Sequence, residues 1–182
     1  MIRAAAVVPH PPLLLPGVGG RSDPLADLRA RSLEAVGVLG AGPVVVLESG
    51  PPGGYDVAAW LCRAAGIEPQ KMLALDADRD VDVAPGTALL VLADGSAARG
   101  PLAPAGPHPD AEASDDALAA LLAAGDAAGL AAYRPAPVLL ADGAPALRAL
   151  GRLAAGRRWH GRLLAHEAPF GVAYLVAAWT PL

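Results

Sequence analysis

The feature that most constrains the fold is a series of short apolar segments, each ended by proline or glycine. Residues 2–8 run into Pro9-His10-Pro11-Pro12, and residues 43–47 are mostly valine and stop before Glu48-Ser49-Gly50. Short, continuous, β-branched runs are typical of strands that helices cover on both faces. Proline ends such strands because it cannot donate to a ladder. The sequence therefore predicts buried strands at residues 2–8 and 43–47, with polar residues following each.

Segments with helical spacing alternate with these strands. In residues 24–39 the apolar positions recur at helical intervals, and Asp23 before Pro24 has the order of residues that commonly opens a helix. The remaining pattern predicts helices at 55–65, 114–124, 126–133 and 145–155, and strands at 71–75 and 87–93. This alternation predicts an α/β fold in which most strands are parallel.

The C-terminal region has a different pattern. Residues 159–167 and 170–179 flank Ala168-Pro169 and predict two antiparallel strands with a tight connection. On the first of these strands, alternation puts one set of side chains on one face (His160, Arg162, Leu164 and His166) and another on the opposite face (Trp159, Leu163 and Glu167). Residues 97–110 are rich in proline and glycine and predict a long loop.

Composition limits the class of protein. The 182 residues suit one domain, residues 1–182, and although 54% of them are hydrophobic with a mean hydropathy of +0.40, every apolar stretch is shorter than about 18 residues. We therefore expect no membrane span. A net charge of −4 without a basic stripe argues against a nucleic-acid partner.

The single cysteine and the N-terminal residues bear on location. Cys62 cannot form an internal disulfide, and we expect it to be a buried residue of a helix. The first apolar run is short and meets prolines instead of a small-residue cleavage site. Both observations predict a cytoplasmic protein.

The sequence lacks the motifs of two common functions, nucleotide binding and serine hydrolysis. The glycines at 17, 19 and 20 are not followed by the Lys-Ser/Thr of a phosphate-binding loop. Ser49 and Ser96 each follow a strand, but neither lies in a Gly-x-Ser-x-Gly turn. The sequence therefore gives no support to nucleotide-binding or serine hydrolase functions.

Three segments together resemble one family. They are residues 5–14 (AAVVPHPPLL), residues 92–97 (LADGSA) and residues 168–174 (APFGVAY). As a set they are similar to a group of small actinobacterial proteins, the class III extradiol dioxygenase subunit-B-like proteins. The resemblance implies a three-layer α/β sandwich related to the catalytic subunit of protocatechuate 4,5-dioxygenase and, more distantly, to the Memo-like proteins.

The resemblance also implies positions for a metal site. Extradiol cleavage uses Fe(II) held by two histidines and one carboxylate, and His10 matches the position of the first ligand. The second histidine is expected after the second strand, where this chain has Glu48-Ser49. The carboxylate is expected near Asp142. The histidine that handles the substrate proton is expected after an Asp-x-Ser turn, where Asp94-Gly95-Ser96 is followed by Ala97.

Oxygen ligands offer a different metal site. With Glu48 and Asp142 beside His10, such a site would suit manganese or magnesium better than oxygen-activating iron. His166 and Glu167 are poor substitutes, because adjacent residues of a strand point to opposite faces. His108, between two prolines of the long loop, is a candidate for a lid residue.

Three hypotheses follow. In the first, the chain is a catalytically degenerate dioxygenase-like protein that keeps a cleft framed by His10, Glu48, Ser49, Asp94 and Ser96, binds a small molecule or partner, and needs no cofactor. In the second, it is an enzyme that uses Fe(II) or another divalent metal at an altered site built from His10, Glu48 and either Asp142 or His108, and its substrate is unknown. In the third, alanine-rich helices and the exposed hairpin form a homo-oligomeric scaffold.

Overall fold

The fold is built on one six-stranded sheet. A computed structural model of the chain describes residues 1–50, 54–75 and 80–182. The strands are β1 (Ala4–Val8), β2 (Val44–Glu48), β3 (Lys71–Ala74), β4 (Ala88–Leu92), β5 (Trp159–Glu167) and β6 (Tyr174–Pro181). Their order in the sheet is β3-β2-β4-β1-β6-β5. The first four strands are parallel, and β6 joins β1 and β5 in antiparallel pairing.

Helices cover both faces of the sheet. They are α1 (Ala26–Gly37), α2 (Gly54–Ala64), α3 (Ala111–Ala124), α4 (Ala127–Ala131) and α5 (Ala144–Leu153). Val45 and Leu47 of β2 face a core shared with α3, α4 and α5, whereas Val44 and Val46 face a core shared with α1 and α2. This confirms the prediction of a three-layer α/β sandwich with a mostly parallel sheet and a C-terminal antiparallel pair. No described helix is long and apolar enough to span a bilayer.

The start of α1 differs from the prediction. The helix begins at Ala26 with Leu25 as N-cap, and Asp23 does not cap it. Instead, both Asp23 carboxylate oxygens accept hydrogen bonds from Arg29, at 2.5 and 2.7 Å. A charge-assisted, two-point bond to guanidinium outweighs a single bond to a helix N–H.

The hairpin connection is longer than predicted. Residues 168–173 separate β5 from β6, because Ala173 exchanges backbone hydrogen bonds with the loop after β4 instead of with β5. Its N–H donates to the Ser96 carbonyl, and its carbonyl accepts from Gly95 N–H, both at 2.8 Å. The tight connection at Ala168-Pro169 was therefore a wrong prediction, since pairing with another loop took over these backbone groups.

The predicted alternation along β5 is also interrupted. Its register against β6 shifts between Leu163 and Ala165, which marks a β-bulge. Before the bulge, Arg162 contacts Glu34 of α1, as the alternation requires. After it, His166 lies 3.8 Å from Asp116 of α3, on the opposite side of the sheet. The prediction that His166 shares a face with Arg162 is therefore wrong.

Two further predictions, a long loop and a buried cysteine on a helix, are confirmed. Residues 97–110 contain no helix or strand, and Cys62 is 1% exposed on α2. The loop is nonetheless held in place. Ala97 N–H donates to the Leu139 carbonyl, and Arg99 N–H donates to the Gly171 carbonyl.

Candidate functional site

The carboxyl ends of three strands bring the predicted site residues together. His10 follows β1 by two residues, Glu48 is the last residue of β2, and Asp94 follows β4 by two residues. These strands are neighbours in the order β2-β4-β1, so their ends meet at one edge of the sheet. Ligand sites in open α/β sheets lie at this edge.

The first contact of the site joins His10 to Asp94. The backbone N–H of His10 donates to Asp94 Oδ1 at 3.2 Å, and the His10 Nδ1 atom lies 3.7 Å from the same oxygen. The His10 side chain is 4% exposed and that of Asp94 is 19% exposed. Asp94 therefore fixes the chain at His10 and puts a carboxylate beside the imidazole.

Glu48 and the start of α2 enclose the other side of the ring. A methyl group on Gly54 would approach Glu48 Oε1 and would lie 3.0 Å from His10 Cδ2. Glycine at this helix start thus lets both side chains pack against the backbone. Neither ring nitrogen of His10 nor Oε1 of Glu48 has a hydrogen-bond partner, although all three atoms are buried. Buried polar atoms without partners are uncommon and identify a place that a ligand can complete.

A pocket opens beside this cluster. It has a volume of about 360 Å³ and is lined by Gly50, Leu75, Ala141, Asp142 and Pro145. A methyl group on Gly50 would lie 3.3 Å from His10 Nε2 and 3.4 Å from Asp142 Cβ, so the imidazole packs against Gly50, which lines the pocket. Gly50 has a φ of +121°, a conformation that other residues rarely adopt. Asp142 itself is exposed.

Burial and like charge affect ionisation in this cluster. Burial raises the pKa of Asp94, the nearby His10 and its N–H lower it, and the negative charge of Asp142 raises it further. Burial, with a smaller contribution from Asp94, raises the pKa of Tyr174 to about 12. Tyr174 is 4% exposed and was not predicted as a site residue. The motif that contains it was known from the sequence, but no pattern there indicated that it neighbours Asp94.

Ser49 has a structural partner. Its hydroxyl oxygen accepts a hydrogen bond from the Ala146 N–H at 3.1 Å, within the first turn of α5. Ser49 therefore caps α5 from another segment of the chain. This bond holds the start of α5, and with it the Asp142 segment, against the end of β2.

Ser96 contacts α3 and is not joined to His10 by any hydrogen bond. Its N–H and hydroxyl donate to the two oxygens of Asp115 at 2.8 and 2.6 Å, and Asp115 is fully buried. Sequence reasoning missed Asp115. The signal was its place in the apolar stripe of α3, between Ala111 and Leu118, where a carboxylate needs a buried donor.

The two remaining histidines considered from the sequence have other partners. His108 Nδ1 accepts from the Asp110 N–H at 3.2 Å, which is a local contact of the loop. His166 Nε2 lies 3.3 Å from the Arg99 guanidinium. The structure therefore brings neither of them to His10.

The residues present do not fit a ferrous extradiol centre. That centre needs two imidazoles on one face of the ion, and the site contains His10 alone, because the second position is taken by Glu48 and by Ser49, whose hydroxyl is bonded to α5. Across residues 1–50, 54–75 and 80–182, no three His, Cys, Asp or Glu side chains are grouped closely enough to hold a metal ion.

Comparisons with protein-family models and with curated proteins gave no match. The relationship to the extradiol dioxygenases therefore remains a hypothesis that depends on the three sequence motifs.

Proposed function

We propose that the chain is a catalytically degenerate, dioxygenase-like protein that binds a small molecule at the pocket beside His10. The observation that carries the proposal is the buried His10 imidazole, which has no hydrogen-bond partner and packs against Gly50, a residue that lines a 360 Å³ pocket. A pocket of this size suits a small organic molecule. Cleavage chemistry is excluded from the proposal because the chain offers one imidazole where the iron centre needs two and an alanine where the proton-handling histidine is expected.

The pocket experiment uses a substitution that fills the cavity. Ala141 lines the pocket and is half-buried, so Ala141→Phe should occupy it. Ligand-detected NMR with a library of aromatic and aliphatic fragments should give binders of the native protein that Ala141→Phe no longer binds. Ala128→Phe fills a different cavity, between α4 and α5, and should leave binding unchanged. Binders that are equally lost in both variants, or retained in both, would contradict the proposal.

The loss of ring cleavage is tested separately. The protein is loaded with Fe(II) without oxygen, and catechols and oxygen are then added. We expect no ring-fission product, and clear turnover would overturn the degenerate assignment.

A second candidate function is a metal-dependent enzyme with an altered site. It is favoured by one observation: the buried His10 nitrogens and Glu48 Oε1 have no hydrogen-bond partners, and they are groups that a divalent cation can satisfy. Asp142, an exposed carboxylate whose Cβ lies close to Gly50, could complete such a site. Metal analysis of the native protein tests it. Stoichiometric metal that disappears in His10→Ala would favour the enzyme, and metal-free protein would leave the binding pocket as the better account.

A further inference from the structure

The last turn of β5 carries a histidine that contacts two segments distant in the sequence. His166 Nε2 lies 3.3 Å from Arg99 Nη1, and His166 Nδ1 lies 3.8 Å from Asp116 Oδ1 on α3. Arg99 belongs to the loop after β4, and its Nη2 donates to Glu112 of α3 at 3.1 Å. The side chains of Arg99 and His166 therefore connect this loop to both α3 and β5.

The contact between Arg99 and His166 requires a neutral imidazole. A guanidinium has only donors, so His166 Nε2 is the acceptor, and the ring carries its proton on Nδ1, the nitrogen nearest Asp116. A protonated ring has an N–H on both nitrogens and cannot accept. It would also repel the guanidinium, because side chains that are only 21% and 18% exposed are incompletely screened by water.

The carboxylates of α3 favour the opposite ionisation state of the ring. Asp116 lies beside Nδ1, the charge of Asp115 acts on both His166 and Arg99, and Glu112 binds the guanidinium. These negative charges attract a protonated His166, whereas Arg99 repels it. Protonation therefore exchanges the bond to Arg99 for a stronger attraction to α3.

The strands around His166 add no further charge on this face. The residue of β6 that pairs with His166 is Leu175, and residues 168–173 contain no ionisable side chain. Glu167 follows His166 in the strand and so points to the opposite face. Among the described residues, the loop and α3 therefore provide the charges that act on His166.

We propose that Arg99 and His166 form a pH-sensitive latch, which ties the loop at residues 97–110 to β5 while His166 is neutral and loosens it when His166 is protonated. The loop keeps its backbone bonds, such as that from the Arg99 N–H to the Gly171 carbonyl, so the change is local. Arg99 keeps Glu112 as a partner in both states. The latch is separate from the pocket beside His10 and does not depend on the function proposed for it.

The first test determines the tautomer of His166 in the native protein. Long-range ¹H–¹⁵N NMR correlations at pH 8 distinguish a protonated from an unprotonated ring nitrogen. We expect a proton on Nδ1 and none on Nε2, because Nε2 accepts from Arg99. A proton on Nε2 at this pH would overturn the latch, since Arg99 would then have no acceptor on the ring.

The second test measures the loop itself. The amides of Ala97, Arg99 and His108 donate to backbone carbonyls, so their hydrogen-exchange protection factors, corrected for the intrinsic effect of pH, report opening of the loop. Between pH 8 and pH 5 we expect protection in the native protein to fall about fivefold, the effect of one partly exposed bond to a charged donor.

Substitutions at two histidines isolate the latch. In His166→Gln the amide oxygen can accept from Arg99 and the side chain does not titrate, so protection should stay constant between the two pH values. His160→Gln, at the exposed start of β5, is the matched control and should keep the fivefold fall. Asp115 and His108 also titrate, but they are present in all three proteins. A fall that persists in His166→Gln, or no fall in the native protein, would overturn the latch.

Discussion

His10 and Asp94 hold each other in place at the ends of two neighbouring strands. One oxygen, Asp94 Oδ1, accepts from the His10 N–H at 3.2 Å and lies 3.7 Å from Nδ1 of the same residue. The orientation of the imidazole is thereby linked to the separation of the ends of β1 and β4, which are paired in the sheet. A site residue fixed by the sheet is better positioned than one on a mobile loop.

Gly54 should be required for this arrangement. Replacing a helical glycine by alanine usually stabilises a protein by about 0.5–1 kcal/mol. At Gly54 the new methyl group would meet Glu48 Oε1 and His10 Cδ2, so we expect Gly54→Ala to lower the free energy of unfolding by about 1–3 kcal/mol, the usual effect of overpacking. Urea denaturation measures the change.

The matched control for Gly54 is Gly37. It is the last residue of α1, and a methyl group there would have no neighbour within 4 Å. Gly37→Ala should therefore be neutral or stabilising. If the two substitutions changed the free energy of unfolding equally, close packing around Gly54 could not explain the effect of Gly54→Ala.

Ser49 should stabilise α5 from outside the helix. Ser49→Ala leaves the Ala146 N–H without its acceptor in a buried place, and loss of a cap lowers the free energy of unfolding by about 1 kcal/mol. Because α5 begins two residues after Asp142, amide exchange should also accelerate in its first turn. Ser22→Ala, where the hydroxyl is exposed, should change stability by less than about 0.5 kcal/mol.

The strands and helices were predictable because their signals are local. β2 begins with three consecutive valines (residues 44–46) and lies within one residue of its predicted range at each end, and α2 also differs from its prediction by one residue at each end. The ends of the hairpin were not predictable in this way. Ala173 binds the loop after β4, and the bulge between Leu163 and Ala165 adds a residue to β5, so both depend on contacts between distant segments.

The site was predictable in part for the same reason. His10, Glu48 and Asp94 follow strands, so a parallel sheet brings them to one edge. No local pattern indicates the hydrogen-bond partners of the Ser49 and Ser96 hydroxyls. Each hydroxyl is paired with a residue that is distant in the sequence, Ala146 and Asp115 respectively. The predicted helix begins at residue 55 and leaves Gly54 out, and the close approach of Gly54 to Glu48 emerges only when β2 and α2 pack together.

Cys62 should be unreactive in the folded protein. It is 1% exposed, and burial raises the pKa of its thiol to about 11, so the reactive thiolate is scarce at pH 8. We expect a thiol reagent such as Ellman's reagent to modify it only as fast as the protein opens. Reaction in denaturant should be fast and should reach one thiol per chain. Fast modification of the native protein would show that α2 opens readily.

Asp115 should anchor the loop after β4. Asp115→Ala removes the acceptor of two buried donors on Ser96, and we expect a loss of about 1–3 kcal/mol in the free energy of unfolding. Asp116→Ala is the control on the same helix. Its side chain is 64% exposed, and the change there should be within about 0.5 kcal/mol.

Asp115 should also give stability a particular dependence on pH. Burial raises the pKa of its carboxyl, and the bonds from Ser96 and the charges of Arg99 and His166 offset this only in part. The folded protein therefore binds a proton at Asp115 more tightly than the unfolded chain, in which the pKa is near 3.8. When the pH is above the pKa that Asp115 has in the folded protein, its ionised carboxylate lowers the free energy of unfolding. That reduction disappears as the pH falls through the folded pKa towards 3.8.

The comparison with Asp115→Asn isolates this contribution. The amide has a similar shape, its oxygen can accept from the Ser96 N–H, and it does not ionise, while every other titrating group is shared by the two proteins. The free energy of unfolding of the native protein, minus that of Asp115→Asn, should therefore increase as the pH is lowered from 7 towards 4. A difference that decreases on acidification would mean that the folded protein stabilises the carboxylate, with hydrogen bonds from Ser96 outweighing burial. Denaturation curves at a series of pH values decide between the two signs.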